Sequence, residues 1–315
     1  MTSSTHKTPP LVLYGALRSG TTLMRLILHA HPDICCPGER DFMTDALRPV
    51  GNGLELDPGV LRESRIFLSS GLSMPQQTNG KDAFDSMLAE DRVRDEKPHH
   101  ILVIHRRLEN LLRLYPDIRI IHLVRDPRDV ARSSIGMGWA GSTWFGIDHW
   151  IRTETNWDKN SAQLTEDQVF FLRYEDLLQT PTKTLTRLCA FVGVPYDPAM
   201  LTFSESSTYA PLDPKLSEQW RHKQTEGEVS DVEYKIGDML TQRGYTPSGV
   251  NPRAPSLMRR LTLTMQDKVF VWRVRLKRFG LVDPVVGMVS RRIGLPSLGQ
   301  SARARMREKQ KKYLK

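Results

Sequence analysis

The sequence predicts an α/β protein, a mostly parallel sheet flanked by helices with a basic helical extension at its C-terminus. Three observations carry that prediction. Short apolar runs alternate with helical periodicity along most of the chain, and the first run hands over to a helix through a glycine-spaced loop, Gly15 to Gly20. Charge is unevenly divided: residues 251–315 hold 17 Lys and Arg against 3 Asp and Glu, a balance of +14, which leaves −5 for residues 1–250. Strands alternating with helices pair in parallel and bind ligands at their carboxyl ends. We therefore expect a principal domain over residues 1–250 and a basic extension over 251–315.

Taken in order, Leu11-Val12-Leu13-Tyr14 is an apolar run ending at Gly15, a strand. After Arg18 to Thr22, residues Leu23, Leu26, Ile27 and Ala30 keep helical spacing until Pro32 stops them. Residues 48–80, rich in Gly, Pro, Ser and Gln with weak periodicity, suit a substrate-side insertion or lid better than core. Residues 101–114 open like a strand, but Leu108, Leu111, Leu112 and Leu114 favour helix. Ile118 to Val124 is a buried strand running into Arg125-Asp126-Pro127, with a helix from Asp129 to Ser134. Val169 to Leu172 is a further strand, followed by Tyr174-Glu175-Asp176 and a helix from Thr182 to Phe191 that Gly193 ends. A helix over 229–243 closes the domain before a linker containing Pro247 and Pro252.

The chain of 315 residues, 39% hydrophobic and 26% charged, is long enough for one large core with an appended element. Its opening residues, MTSSTHKTPP, carry no apolar run, and no stretch approaches the roughly 18 apolar residues of a membrane span. Neither a signal peptide nor a transmembrane helix is expected. Cys35, Cys36 and Cys189 offer no disulfide framework and no zinc-ligand spacing, so we expect a reducing cytoplasm and no metal site.

The segment from Gly15 to Thr22 has the GxxxxG spacing of a phosphate loop (P-loop), placed where backbone N–H groups and a helix dipole hold an anion. A nucleoside triphosphatase needs Lys where Thr21 stands. The positive charge sits inside the loop instead, at Arg18, which suits a donor with one phosphate and one sulfuryl group. Farther on, Arg125 follows a buried strand, so its fork of donors emerges at the sheet's carboxyl edge, where it suits a phosphate monoester.

The run from Arg18 to Ile34, RSGTTLMRLILHAHPDI, resembles the 5'-phosphosulfate loop of sulfotransferases that use 3'-phosphoadenosine 5'-phosphosulfate (PAPS). Its form is that of tyrosylprotein sulfotransferases and many bacterial members. Leu123 to Asp129, with Ser133 eight residues after Arg125, is similar to the family's 3'-phosphate motif, and Arg173-Tyr174-Glu175-Asp176-Leu177 resembles its RYEDL block. The resemblance implies a P-loop-type fold and transfer of a sulfuryl group from PAPS to an acceptor hydroxyl, with 3'-phosphoadenosine 5'-phosphate (PAP) as product and no metal. It implies that Arg18, Ser19, Gly20, Thr21 and Thr22 surround the 5'-phosphosulfate and that Arg125 and Ser133 hold the 3'-phosphate. For Tyr174 it leaves an adenine contact and a core aromatic as alternatives.

Such a transfer needs a base, cations against charge on the leaving phosphate, and in-line positioning. By resemblance the base is Glu39, 21 residues after Arg18. Its competitor is His99, two residues after Lys97, the spacing of cytosolic relatives. Lys97, within Glu96-Lys97-Pro98, resembles the family's EKTP segment and would neutralise the leaving oxygen together with Arg18. The acceptor is expected to be a hydroxyl-bearing carbohydrate, lipid, small molecule or peptide, with no nucleic acid. Aromatic and basic residues mixed between Leu257 and Phe279 suggest peripheral membrane contact. Two other readings are a P-loop kinase or NTPase, and a basic membrane- or nucleic-acid-binding adaptor. The adaptor leaves the ordered motifs at Arg18, Arg125 and Tyr174 unexplained.

Overall fold

Among the described residues seven strands appear in chain order: β1 Leu11–Gly15, β2 Ile34–Cys35, β3 Leu47–Val50, β4 Gly53–Leu56, β5 His99–Ile104, β6 Arg119–Val124 and β7 Val169–Arg173. They belong to a computed structural model that describes residues 10–292 and 299–311. The opening residues 1–9, read above for a leader, lie outside the described residues. Five strands form one parallel sheet in the order β2-β5-β1-β6-β7, and β3 and β4 form an antiparallel hairpin. Alternation along β1 sends Leu11 and Leu13 to a core containing Met24, Ile27 and Ile121, and Val12 and Tyr14 to a second core with Phe42, Phe84 and Leu102. A sheet covered on both faces needs strands that are apolar throughout, which is why these runs do not alternate with polar residues. Truncating Leu13, fully buried at its centre, should cost roughly 2–5 kcal/mol.

The chain divides into two compact units. The first, comprising residues up to Asp126 and His149–Gln219, holds the sheet; the second, comprising Pro127–Asp148 and the residues from Trp220 on, is helical. Within the second unit Arg128 lies 3.7 Å from the Trp220 ring and pairs with Glu233 at 2.8 Å. The long helix Leu257–Phe279 packs closely at Gly141, where a Cβ would come within 2.7 Å of the Asp267 Cα. The basic extension is therefore built onto helices drawn from 127–148 and 220–250, and the compact units do not divide where the composition changes. It continues through helices Val282–Arg292 and Gln300–Lys311. No described helix is long and apolar enough to cross a membrane.

Three expectations are corrected. Residues 101–114 are not one helix: β5 ends at Ile104, and helix Leu108–Leu114 starts only after Arg107, whose φ is 59°. Four consecutive apolar residues, ILVI, suit a strand buried on both faces and give an amphipathic helix no polar side. The stretch 48–80 is not a lid. It holds most of the β3–β4 hairpin and the helices Pro58–Glu63 and Arg65–Ser70, with Leu54, Leu61, Phe67 and Leu72 buried in the Tyr14 core. Some of its polar residues are caps, such as Asp57 on the Gly59 N–H and Ser64 on the Phe67 N–H, while its apolar side chains do the packing. The segment 229–243 is two helices, Glu226–Ile236 and Met239–Gln242, broken at Gly237.

Candidate functional site

The loop after β1 leads into helix α1, Thr21–Ala30. Glycine is required at both of its ends. A Cβ at Gly15 would lie 2.4 Å from the Leu123 carbonyl oxygen, and one at Gly20, whose φ is 95°, would lie 2.4 Å from the Tyr174 ring. Between them Arg18 adopts the left-handed region at φ 70°, a conformation that costs a non-glycine residue roughly 1–3 kcal/mol. The turn is held by the Ser19 N–H, which donates to Ala16 at 3.0 Å, and by His149 Nε2, 2.8 Å from the Leu17 carbonyl oxygen. The Ser19 hydroxyl is buried with no hydrogen-bond partner, a loss of about 1–3 kcal/mol unless something binds it.

A cavity of about 190 Å³ opens at this helix end, lined by Arg18, Gly20, Thr21, Thr22, Arg125 and Tyr174 together with Tyr209 and Leu216. None of its lining residues is acidic. The Arg125 guanidinium lies 4.5 Å from the Tyr174 ring centroid and donates to the Arg18 and Leu216 carbonyls, each at 3.4 Å. The Trp150 indole N–H donates to the Arg125 carbonyl at 3.2 Å and fixes the backbone there. Burial holds the Arg18 guanidinium below its usual range and the Arg125 charge adds to this, while Tyr209 and Tyr174 oppose it. Two cations that repel each other across an acid-free cavity, beside a helix N-terminus and an unsatisfied hydroxyl, make a site for an anion.

A second group stands next to the loop. At the position where a triphosphate site needs an ammonium, Thr21 instead sets its hydroxyl 3.3 Å from His105 Nε2. His105 follows directly on β5; its backbone N–H donates to Asp41 at 2.8 Å and its Nδ1 lies 2.7 Å from Asp41 Oδ2. All three residues are buried. Burial alone would lower the His105 pKa, but the Asp41 charge and hydrogen bond, with Glu39 behind them, outweigh it and leave it raised. Burial likewise works to raise Asp41, and His105 and Arg106 overcome it to hold the carboxyl below its usual range. Glu39 makes an isolated parallel bridge to Val103, so its side chain shares the sheet face of Val103 and of His105 two residues on.

The structure thus brings together Arg18, Ser19, Gly20, Thr21, Thr22, Arg125 and Tyr174, with Glu39 at the same carboxyl edge but outside the cavity lining. Tyr174 is both a buried aromatic packed on Gly20 and part of the cavity wall. Ser133 lies on helix Pro127–Gly136 of the second unit. Lys97 and His99 stand elsewhere. The Lys97 ammonium donates to the carbonyls of His29, His31 and Ile34 at 2.6, 2.9 and 3.2 Å, closing the C-terminal end of α1, about 15 Å from the loop by helical rise. His99 opens β5, roughly 20 Å of strand before His105, and its N–H donates to Asp33. Both follow the EKTP-like spacing but sit at the amino end of the strand. Sequence reasoning missed His105 and Asp41; the available signal was a histidine placed directly after a four-residue apolar run, hence at the carboxyl edge.

The family described as "Sulfotransferase family" matches residues 9–198. The chain is similar to Protein-tyrosine sulfotransferase 1 of Danio rerio, 25% identical over 221 residues that cover 64% of this chain and 58% of that protein. It is also similar to Carbohydrate sulfotransferase 5 of Mus musculus, 26% identical over 190 residues covering 46% of this chain and 48% of that one. The chain thus spans about half the length of these curated relatives, 58% and 48%. In fold it is similar to the sulfotransferase domain of the curacin biosynthetic pathway, with a TM-score of 0.59 and 17% identity over 76% of this chain and 98% of that one.

Proposed function

This chain belongs to the sulfotransferase family, and on that premise we propose that it is an enzyme that moves a sulfuryl group from PAPS to an acceptor hydroxyl. The observation that carries the reading is the acid-free cavity at the N-terminus of α1, lined by Arg18 and Arg125, in a loop whose Ser19 hydroxyl is buried and unsatisfied. A nucleotide with phosphate groups at two positions fits such a donor set. Arg18, Ser19 and the first N–H groups of α1 serve the 5'-phosphosulfate, Arg125 serves the 3'-phosphate, and Tyr174 offers a ring face. PAPS, when bound, supplies a sulfuryl group whose bond to phosphate is the one that breaks. Arg18 meets the charge that develops on the leaving phosphate oxygen, and Glu39 takes the proton of the acceptor hydroxyl as its oxygen bonds to sulfur.

The acceptor in this proposal is a hydroxyl-bearing carbohydrate, lipid, small molecule or peptide. The location is cytoplasmic, with a peripheral membrane contact through the C-terminal extension. Calorimetry should show PAP binding more tightly than ATP with Mg²⁺. Arg125→Ala should weaken PAP while leaving adenosine 5'-phosphosulfate nearly unchanged, because only the 3'-phosphate is its partner. Preference for ATP with Mg²⁺, or equal losses for both nucleotides, refutes the assignment.

One observation favours a second reading of the base: His105 touches the loop through Thr21 and is oriented by Asp41. Under it, transfer falls as the imidazole gains its proton, above the ordinary histidine range of about 6.5 because its pKa is raised. Asp41→Asn removes the main cause of that rise, so the acid limb of the kcat profile must move to lower pH. A profile that Asp41→Asn does not shift excludes His105 and leaves Glu39.

A further inference from the structure

Helix Leu257–Phe279 buries only one side. Leu263 is 2% exposed, and Phe270 and Val274 lie so close to Gly141 and Gly138 that a Cβ on either glycine would come within 2.8 and 2.5 Å of them. On the opposite side Leu257, Leu261, Met265 and Val269 recur at every fourth position and are 79%, 61%, 62% and 45% exposed. Every fourth position stacks along one face, so these four form a continuous apolar stripe. Helix Val282–Arg292 repeats the pattern with exposed Val282, Val285 and Val289.

Charge beside this stripe has one sign. Arg260, Lys268, Arg273, Arg275 and Lys277 are exposed along the long helix. The two carboxylates of these helices turn inward: Asp267 accepts from the Gly141 N–H at 2.7 Å, and Asp283, buried, is held by Arg305 and Lys309. We infer that this face is a docking surface for an anionic membrane interface, with the apolar stripe seated among the acyl chains and the basic residues at the headgroups. A second copy of the chain would lay +14 against +14. A nucleic acid would meet the charge but offer no seat for the stripe, since its backbone phosphates dominate such contacts. An anionic interface satisfies both, and it requires no crossing.

The inference rests on the reading of the extension as a membrane contact and not on the transfer chemistry. The test uses the full chain, sedimented with vesicles of phosphatidylcholine with and without phosphatidylserine. Binding should require phosphatidylserine and fall as salt is added. The combined variant Leu257→Gln, Leu261→Gln and Met265→Gln changes only exposed side chains, so it should melt like the parent yet lose at least tenfold in partitioning. Lys268→Gln and Arg275→Gln should each cost roughly fivefold. Full-length protein that ignores anionic vesicles at low salt overturns the inference. So does an unchanged partition of the apolar variant, a preference for duplex DNA over vesicles, or a lipid-free dimer that the apolar variant dissolves. PAP calorimetry on the same samples separates the two proposals, because lost PAP binding with intact vesicle binding removes only the transfer reading.

Discussion

The two ends of α1 are answered in opposite ways. At its N-terminus the helix faces an acid-free cavity lined by Arg18 and Arg125, and the loop before it holds a buried hydroxyl that has no partner. At its C-terminus one ammonium, Lys97, takes the carbonyls of His29, His31 and Ile34. Both ends carry positive side chains, and only the direction of the dipole tells them apart. A cation at the C-terminus completes the helix, whereas cations at the N-terminus oppose it until an anion arrives. A positive residue near a phosphate loop in sequence is therefore a ligand only if the chain brings it to the donor end.

The comparison can be broken first at the reacting centre. Glu39→Gln keeps shape and donor binding, and should lower transfer by roughly 10²–10⁴-fold if Glu39 is the base. A variant with normal turnover shifts the base to the His105–Asp41 pair. Next, Arg18→Ala should lower kcat by about 10²–10³-fold while changing PAP affinity much less, since its contribution grows as charge develops on the leaving oxygen. Equal losses in affinity and turnover would show that Arg18 binds the ground state alone.

The donor end was legible in the sequence because its signals are local. Two glycines forced by the Leu123 carbonyl and the Tyr174 ring, an apolar strand before them and an amphipathic helix after them all sit within one short stretch. Arg125 was legible for the same reason, as the residue that follows a buried strand. The other end of the chemistry was not. His105 and Asp41 are separated by 64 residues and meet only when β5 inserts beside β1, and reading 101–114 as helix hid the carboxyl edge on which His105 stands. The stretch 48–80 was hard to read because Gly, Pro, Ser and Gln interrupt the spacing of its apolar residues, although Leu61 and Phe67 are buried in the core.

The smallest effect is the one that tests the comparison most directly. Lys97→Met keeps the length and apolar stem of the side chain and removes only the ammonium. Two carbonyls at the end of α1, of His29 and His31, and that of Ile34 at the start of β2 then lose a charged donor in a partly buried position. Hydrogen bonds to a charged group contribute about 1.5–3 kcal/mol, and a cation at a helix C-terminus adds about 0.3–1 kcal/mol. Water can reach part of the site, so the loss in unfolding free energy should fall near the lower end, about 1.5 kcal/mol in a denaturant titration. Turnover should stay within about twofold, because the reacting centre lies about 15 Å away along the helix. A variant that melts like the parent and loses about a hundredfold in kcat, the effect of removing a transition-state contact, would place the ammonium at the leaving oxygen and erase the distinction between the two ends.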